Sequence, residues 1–168
     1  MGVAELTNLE SKLGEVVGLA MAAQEAGQKV AKLAKDEGNE ELVGTLERMR
    51  EQAKETEERG AEVAGSFDGK KTAILEEARE VKSKAQEMMK TYLDEAADTL
   101  DGFEFLTMAE AGEVGHWEIL DTLNKRAGSA SVSQLVDWAL PIQQQHLETV
   151  RSTSLQLAAD EDPNEAAD

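Results

Sequence analysis

The 168 residues suffice for one domain with a hydrophobic core and are few for two. Hydrophobic residues make up 40% of the chain and aromatics 4%, with 2 prolines, a composition rich in alanine, leucine, glutamate and lysine that favours helix. The formal charge of −18 excludes nucleic acid as a partner, because 17 Lys and Arg lie scattered among 35 Asp and Glu and form no basic stripe.

The same acidity suits a solvated surface and is compatible with attracting cations. There is no cysteine, hence no disulfide framework and no thiolate metal site, as expected of a cytoplasmic protein. Met1 to Leu13 lacks an apolar signal core, and no run approaches the roughly 20 apolar residues of a membrane span.

Taken in chain order, apolar or small residues recur first at Leu6, Leu9, Leu13, Val16, Ala20, Ala23, Gly27, Val30 and Ala34, which predicts a helix over about Glu5 to Lys35. Gly38 is placed to end it in the left-handed conformation, and Asn39 to cap the next helix. That helix, about Glu40 to Ala64, carries Leu42, Leu46, Met49, Ala53, Thr56, Gly60 and Val63 on one face. The short link makes the two an antiparallel pair.

Gly65 to Gly69 closes this hairpin and is no nucleophile elbow, because no strand precedes it. A third segment, Lys70 to Leu100, holds Ile74, Ala78, Val81, Ala85, Met88, Met89, Tyr92, Leu93 and Ala96, with a weak point near Asp94 and a boundary at Asp101-Gly102. The fourth, Phe103 to Arg126, ends in Lys125-Arg126-Ala127-Gly128. The fifth starts at a capping box, Ser131 to Gln134, and runs to about Ala159, with Pro141 expected to kink or restart it. The domain therefore spans residues 1–159, and the acidic tail, 160–168, is expected to be disordered. Two helical hairpins joined by a helical crossover make an all-α, five-helix chain with the layout of a ferritin-like four-helix bundle.

The fourth segment's inward stripe runs Leu106, Glu110, Glu113, Trp117, Leu120, so two carboxylates interrupt an apolar face. Glu113 and His116 form Glu-x-x-His, the spacing that offers an oxygen and an imidazole nitrogen from one helix to one ion. The fifth segment's stripe runs Val132, Leu135, Ala139, Ile142, His146, Val150, Thr153, Leu157, with Gln143 and His146 in the relative places of Glu113 and His116. Both histidines are expected inside the bundle on facing helices, and Glu110, Glu113, His116, Gln143 and His146 are the candidate metal ligands. A Glu–His pair on one helix also serves as a buried hydrogen-bonded pair that fixes register. The first two helices place no glutamate squarely on their stripes, which argues against a complete two-metal site.

The run Val114-Gly-His-Trp-Glu-Ile119, the glycine-ended hairpin before it and the crossover start Gly69-Lys-Lys-Thr72 resemble the YciE/YciF-type ferritin-like proteins, which typically show Val-Glu-His-Tyr-Glu-Ile at this place. The resemblance extends over most of the chain and is carried sharply by that short motif. It implies a homodimeric or larger stress-associated protein with a dinuclear iron or manganese site. His116 and Glu118 match the family's His and second Glu, and Gly115 stands where its first Glu would be. Ala20 stands near the first helix's acid, Met49 near the second helix's histidine, and Gln143-Gln144-Gln145 where the family is rich in Glu. Two functions are thus expected: a metal-binding protein whose site is depleted or rearranged, or a non-catalytic helical protein acting through self-association or a protein partner.

Overall fold

The computed structural model describes residues 4–167, and among them every regular element is an α-helix. The first, α1, is Asn8–Asp36. Thr7 caps it by accepting from Glu10 N at 3.1 Å, while Glu10 accepts from Thr7 N at 3.1 Å, a reciprocal pair that satisfies two otherwise free donors. Gly38, at φ 77°, turns the chain where a side chain would be strained, and Asn39 accepts from Leu42 N to start α2, Glu40–Ala64.

The third helix, α3 (Lys71–Tyr92), ends short of the expected Leu100. The chain then takes a short non-helical link, and α4 runs Thr99–Ala127, starting four residues earlier than the sequence suggests. Asp98 supplies the start: its carboxylate accepts from Asp101 N, and Asp101 accepts from Asp98 N. Asp101-Gly102 is therefore no boundary. Gly102 sits inside α4 as a contact point, where an added Cβ would come within 2.9 Å of Val30 on α1.

The last helix, α5, is Ala130–Ala159. Its cap is Ser129, which accepts from Val132 N, and not Ser131, whose hydroxyl bonds to Ser129 and Ser66. Pro141 lies within α5 and the helix runs through it without a restart. Residues 160–167 continue as exposed turns.

Cross-helix contacts fix the packing. Gly60 of α2 lies against Val17 of α1, and Arg50 against Gly27, so these helices are antiparallel. Thr107 of α4 meets Ser154 of α5, and Ser66 at the end of α2 meets Ser131 of α5. Gly102 near Val30, and His116 near Lys12 and Glu15, set α4 antiparallel to α1. Helices α1, α2, α5 and α4 thus form a ring of neighbours. Helix α3 lies outside the ring, parallel to α1, with Ile74 over Gly14, Ala78 over Gly18 and Gln86 bonded to Glu25 at 2.8 Å.

The buried apolar side chains form two blocks. One holds Leu13, Val16, Trp117, Leu120, Val132 and Leu135; the other holds Val30, Leu46, Phe103, Leu106 and Val150. Each large side chain so buried contributes about 1.5–3 kcal/mol. Along α4 and α5 a short polar belt separates the blocks, and that belt is the candidate site.

Candidate functional site

Burial confirms the α4 stripe position by position: Leu106, Glu110, Glu113, Trp117 and Leu120 are all buried. On α5, Gln143 and His146 are buried, whereas Ile142 is only partly so. The belt therefore consists of Glu110 and Glu113 facing Gln143 and His146.

His116 does not join it. Its side chain is 38% exposed, against 4% for His146. Instead Nδ1 of His116 lies 3.2 Å from Lys12 Nζ and 3.2 Å from Glu15 Oε2, both on α1. The expectation of two buried histidines is corrected here, and helical geometry supplies the reason. At roughly 100° per residue His116 lies about 120° around α4 from Glu110, while Trp117 lies within about 20° of it. The stripe follows Trp117, and Glu-x-x-His leaves its histidine on the flank.

Within the belt, one end of the Gln143 amide stands 2.9 Å from Glu110 Oε2 and 2.9 Å from Glu113 Oε2. With nitrogen at that end, Gln143 donates to both carboxylates. With the amide turned, its oxygen accepts from both once they carry protons, so the orientation follows the protonation state. Burial pushes the Glu110 carboxyl up to about 8. Burial, and then the neighbouring Glu110, raise Glu113 well above the ordinary carboxylate range. No hydrogen bond from a Lys or Arg reaches either acid among the described residues.

His146 is held from both sides. Its Nε2 is 2.6 Å from Gln52 Oε1, and its Nδ1 is 3.9 Å from Glu110 Oε2. Because Gln52 Oε1 can only accept, Nε2 carries the ring proton and Nδ1 keeps its lone pair toward the acids. Desolvation lowers the imidazole to about 4, so it is neutral over the physiological range.

Gln52 escaped the sequence reading. It is an exposed residue beside Ala53 on the edge of the α2 stripe, so periodicity placed it outside, yet its amide reaches over the seam to His146. Lys12 and Glu15 escaped for the same reason, flanking Leu13 and Val16 on α1. Of the positions matched through the family motif, Glu118 is exposed, an added Cβ on Gly115 would meet open space, Ala20 is fully buried, and Gln144 and Gln145 are exposed.

The residue types in the belt are two carboxyls, one amide and one imidazole, a donor set that suits a single first-row divalent ion. Gln143 bonds to both acids, and among the described residues no group of three or more His, Asp or Glu side chains is gathered so that it could hold a metal ion. Among those residues, too, no helix is long and apolar enough to cross a membrane. Comparison with protein-family models, curated proteins and solved structures returned no match for this chain.

Proposed function

We propose that the chain is a ferritin-like helical bundle whose belt takes one divalent ion, iron or manganese, in a site rearranged from a dinuclear one. Glu110, Glu113, Gln143 and His146 are its ligands, and His116 is not. The observation that carries this reading is the setting of His146: Gln52 fixes the proton on Nε2, which leaves the Nδ1 lone pair turned toward Glu110 in a buried, neutral ring. A ring nitrogen oriented in this way by a partner on the opposite nitrogen is how proteins prepare a histidine ligand.

One ion, and not two, follows from the first hairpin. Its buried positions Ala20, Ala53 and Thr56 carry no carboxylate, and the group it brings to His146 is the Gln52 amide. When bound, iron or manganese supplies one-electron redox chemistry. The chain's own part is to give up the carboxyl protons on loading, to supply compensating charge from Glu110 and Glu113, and to keep inward the Gln143 amide oxygen that accepts from the protonated acids. The family resemblance is in line with this reading and adds a stress-associated homodimer or larger homo-oligomer, and the lack of cysteine adds a cytoplasmic location.

Elemental analysis of protein purified without chelator tests this. About one iron or manganese per chain, lost in His146→Ala, is the expected result, and less than about a tenth of an ion, unchanged in that variant, would sink it.

A second reading, a non-catalytic protein acting through self-association or a partner, is favoured by the exposure of Met88 and Tyr92 on α3 and of Met108 on α4, which shares one surface hollow with each of them. Under that reading Met108→Asp abolishes self-association in sedimentation velocity while metal content stays negligible.

A further inference from the structure

Helix α4 buries one face and leaves the opposite one bare. At about 100° per residue, Asp101, Met108, Gly112, Gly115, Ile119 and Arg126 fall within a stripe about 60° wide, opposite buried Leu106, Glu110 and Trp117. Their steps of seven, four and three are the spacing of a seam between paired helices. Met108 is 41% exposed and Ile119 47%. Between Glu104 and Glu118 the only Asp, Glu, Lys or Arg side chains of α4 are the buried Glu110 and Glu113. The centre of the face is therefore uncharged, and two copies of a chain of net charge −18 can bring it together with little repulsion.

Gly112 and Gly115 add an independent observation. Glycine weakens a helix interior, and Gly14, Gly18 and Gly102 each offset that by admitting a neighbour where a Cβ would stand. Around an added Cβ on Gly112 or Gly115 nothing lies within 4 Å, so no contact inside the described chain calls for them. Bare backbone on an outer helix face lets a second backbone approach closely. The face is also complementary to itself. Turned about a two-fold axis midway between Gly112 and Gly115, it sets Met108 against Ile119 and Gly112 against Gly115 of a second copy. The same turn brings the exposed acids Asp101 and Glu104 at one end to the exposed bases Lys125 and Arg126 at the other.

We propose that α4 pairs antiparallel with α4 of a second copy across this face. Met108 and Ile119 fill the space beside the glycines, and Glu104 with Arg126 closes each end. Parallel pairing would set acid against acid at one end and base against base at the other. One helix face makes a small interface, so the dimer is expected to dissociate at about 1–100 µM. The proposal rests on the self-association reading above and is independent of the ion.

Because the chain has no cysteine, single-cysteine variants report the register without background. Full-length Met108→Cys and Ile119→Cys proteins are oxidised separately and as a mixture. The mixture is expected to form disulfide-linked dimer at least about tenfold more readily, because each position lies about 16 Å along the pair from its own copy. Sedimentation velocity supplies the second arm. Gly115→Gln, a better helix former at an open position, is expected to weaken the dimer at least about tenfold with the fold intact. Arg126→Glu is expected to weaken it as well, and Glu104→Arg in the same chain to restore it. A chain that stays monomeric to about 1 mM would overturn this pairing together with self-association itself. Self-association that survives Gly115→Gln, or disulfides formed as readily by one variant alone as by the mixture, would overturn the pairing and leave self-association standing.

Discussion

At the scale of single residues, the belt is polar but uncharged in the metal-free chain. Glu110 and Glu113 are raised above their ordinary 4.5, so the folded state holds protons that the unfolded state releases as pH climbs past that value. Their effect on stability is absent below pH 4.5 and grows unfavourable as pH rises toward 8, where folded Glu110 itself ionises. His146 acts in the opposite sense: lowered from 6.5 to about 4, it withdraws stability as pH falls through that window. Glu113→Gln removes one of the acids at constant shape. Thermal melts of the chelated variant are therefore expected to show a shallower decline between pH 5 and 8 than the unaltered chain, and a decline of equal steepness would contradict the assignment.

The two histidines should also separate in stability. His146→Ala strips a partner from Gln52 and empties a buried site, and is expected to cost about 1–3 kcal/mol, while half-exposed His116→Ala stays within about 0.5 kcal/mol, both read from urea unfolding. Glu110, Glu113, Gln143 and His146 were legible in the sequence because each interrupts or adjoins an apolar stripe. His116 was misread because spacing along a helix gives adjacency between two residues and not the direction of the core.

At the scale of elements, the docking of α3 on α1 rests on the absence of side chains. A Cβ on Gly14 would meet Ile74 O at 2.7 Å, and one on Gly18 would strike Ala78 O more closely still. Backbone atoms there cannot yield as a side-chain end can. Gly18→Val is thus expected to destabilise by about 3 kcal/mol in urea unfolding and to make α3 the first site of limited proteolysis. Gly112 on α4 is the control: nothing lies within 4 Å of its added Cβ, so Gly112→Ala should stabilise by about 0.5–1 kcal/mol through helix propensity. A loss of stability in the control, or none in Gly18→Val, would contradict this packing.

The five helices were legible from periodicity, and the Gly38 turn and Asn39 cap from residue type. The second face of α1 was not. Gly14, Val17, Gly18 and Ala22 lie off the first stripe, and small residues carry too little hydrophobicity to announce a contact. Gly102 misled for a related reason, since a glycine that admits a neighbour reads like one that ends a helix.

At the scale of the whole molecule, a net charge of −18 pushes the folded state apart. Most pairs that relieve it are exposed contacts within one helix, such as Arg151 with Glu148 and Arg59 with Glu55. These are worth little each. Screening the general repulsion should outweigh weakening such pairs, so the melting temperature is expected to rise between about 0.05 and 1 M sodium chloride. A fall would mean that the ion pairs govern stability instead. The all-helical class followed from composition and pattern, whereas the ring of α1, α2, α5 and α4 depends on contacts between distant segments that no local pattern records.

The most direct test of the belt as a metal site is manganese titration followed by electron paramagnetic resonance, on the unaltered chain and on Glu113→Gln, His146→Ala and His116→Ala. About one ion per chain is expected, lost in the first two variants and retained in His116→Ala. Loss of binding in His116→Ala equal to that in His146→Ala, or less than about a tenth of an ion on the unaltered chain, would contradict it.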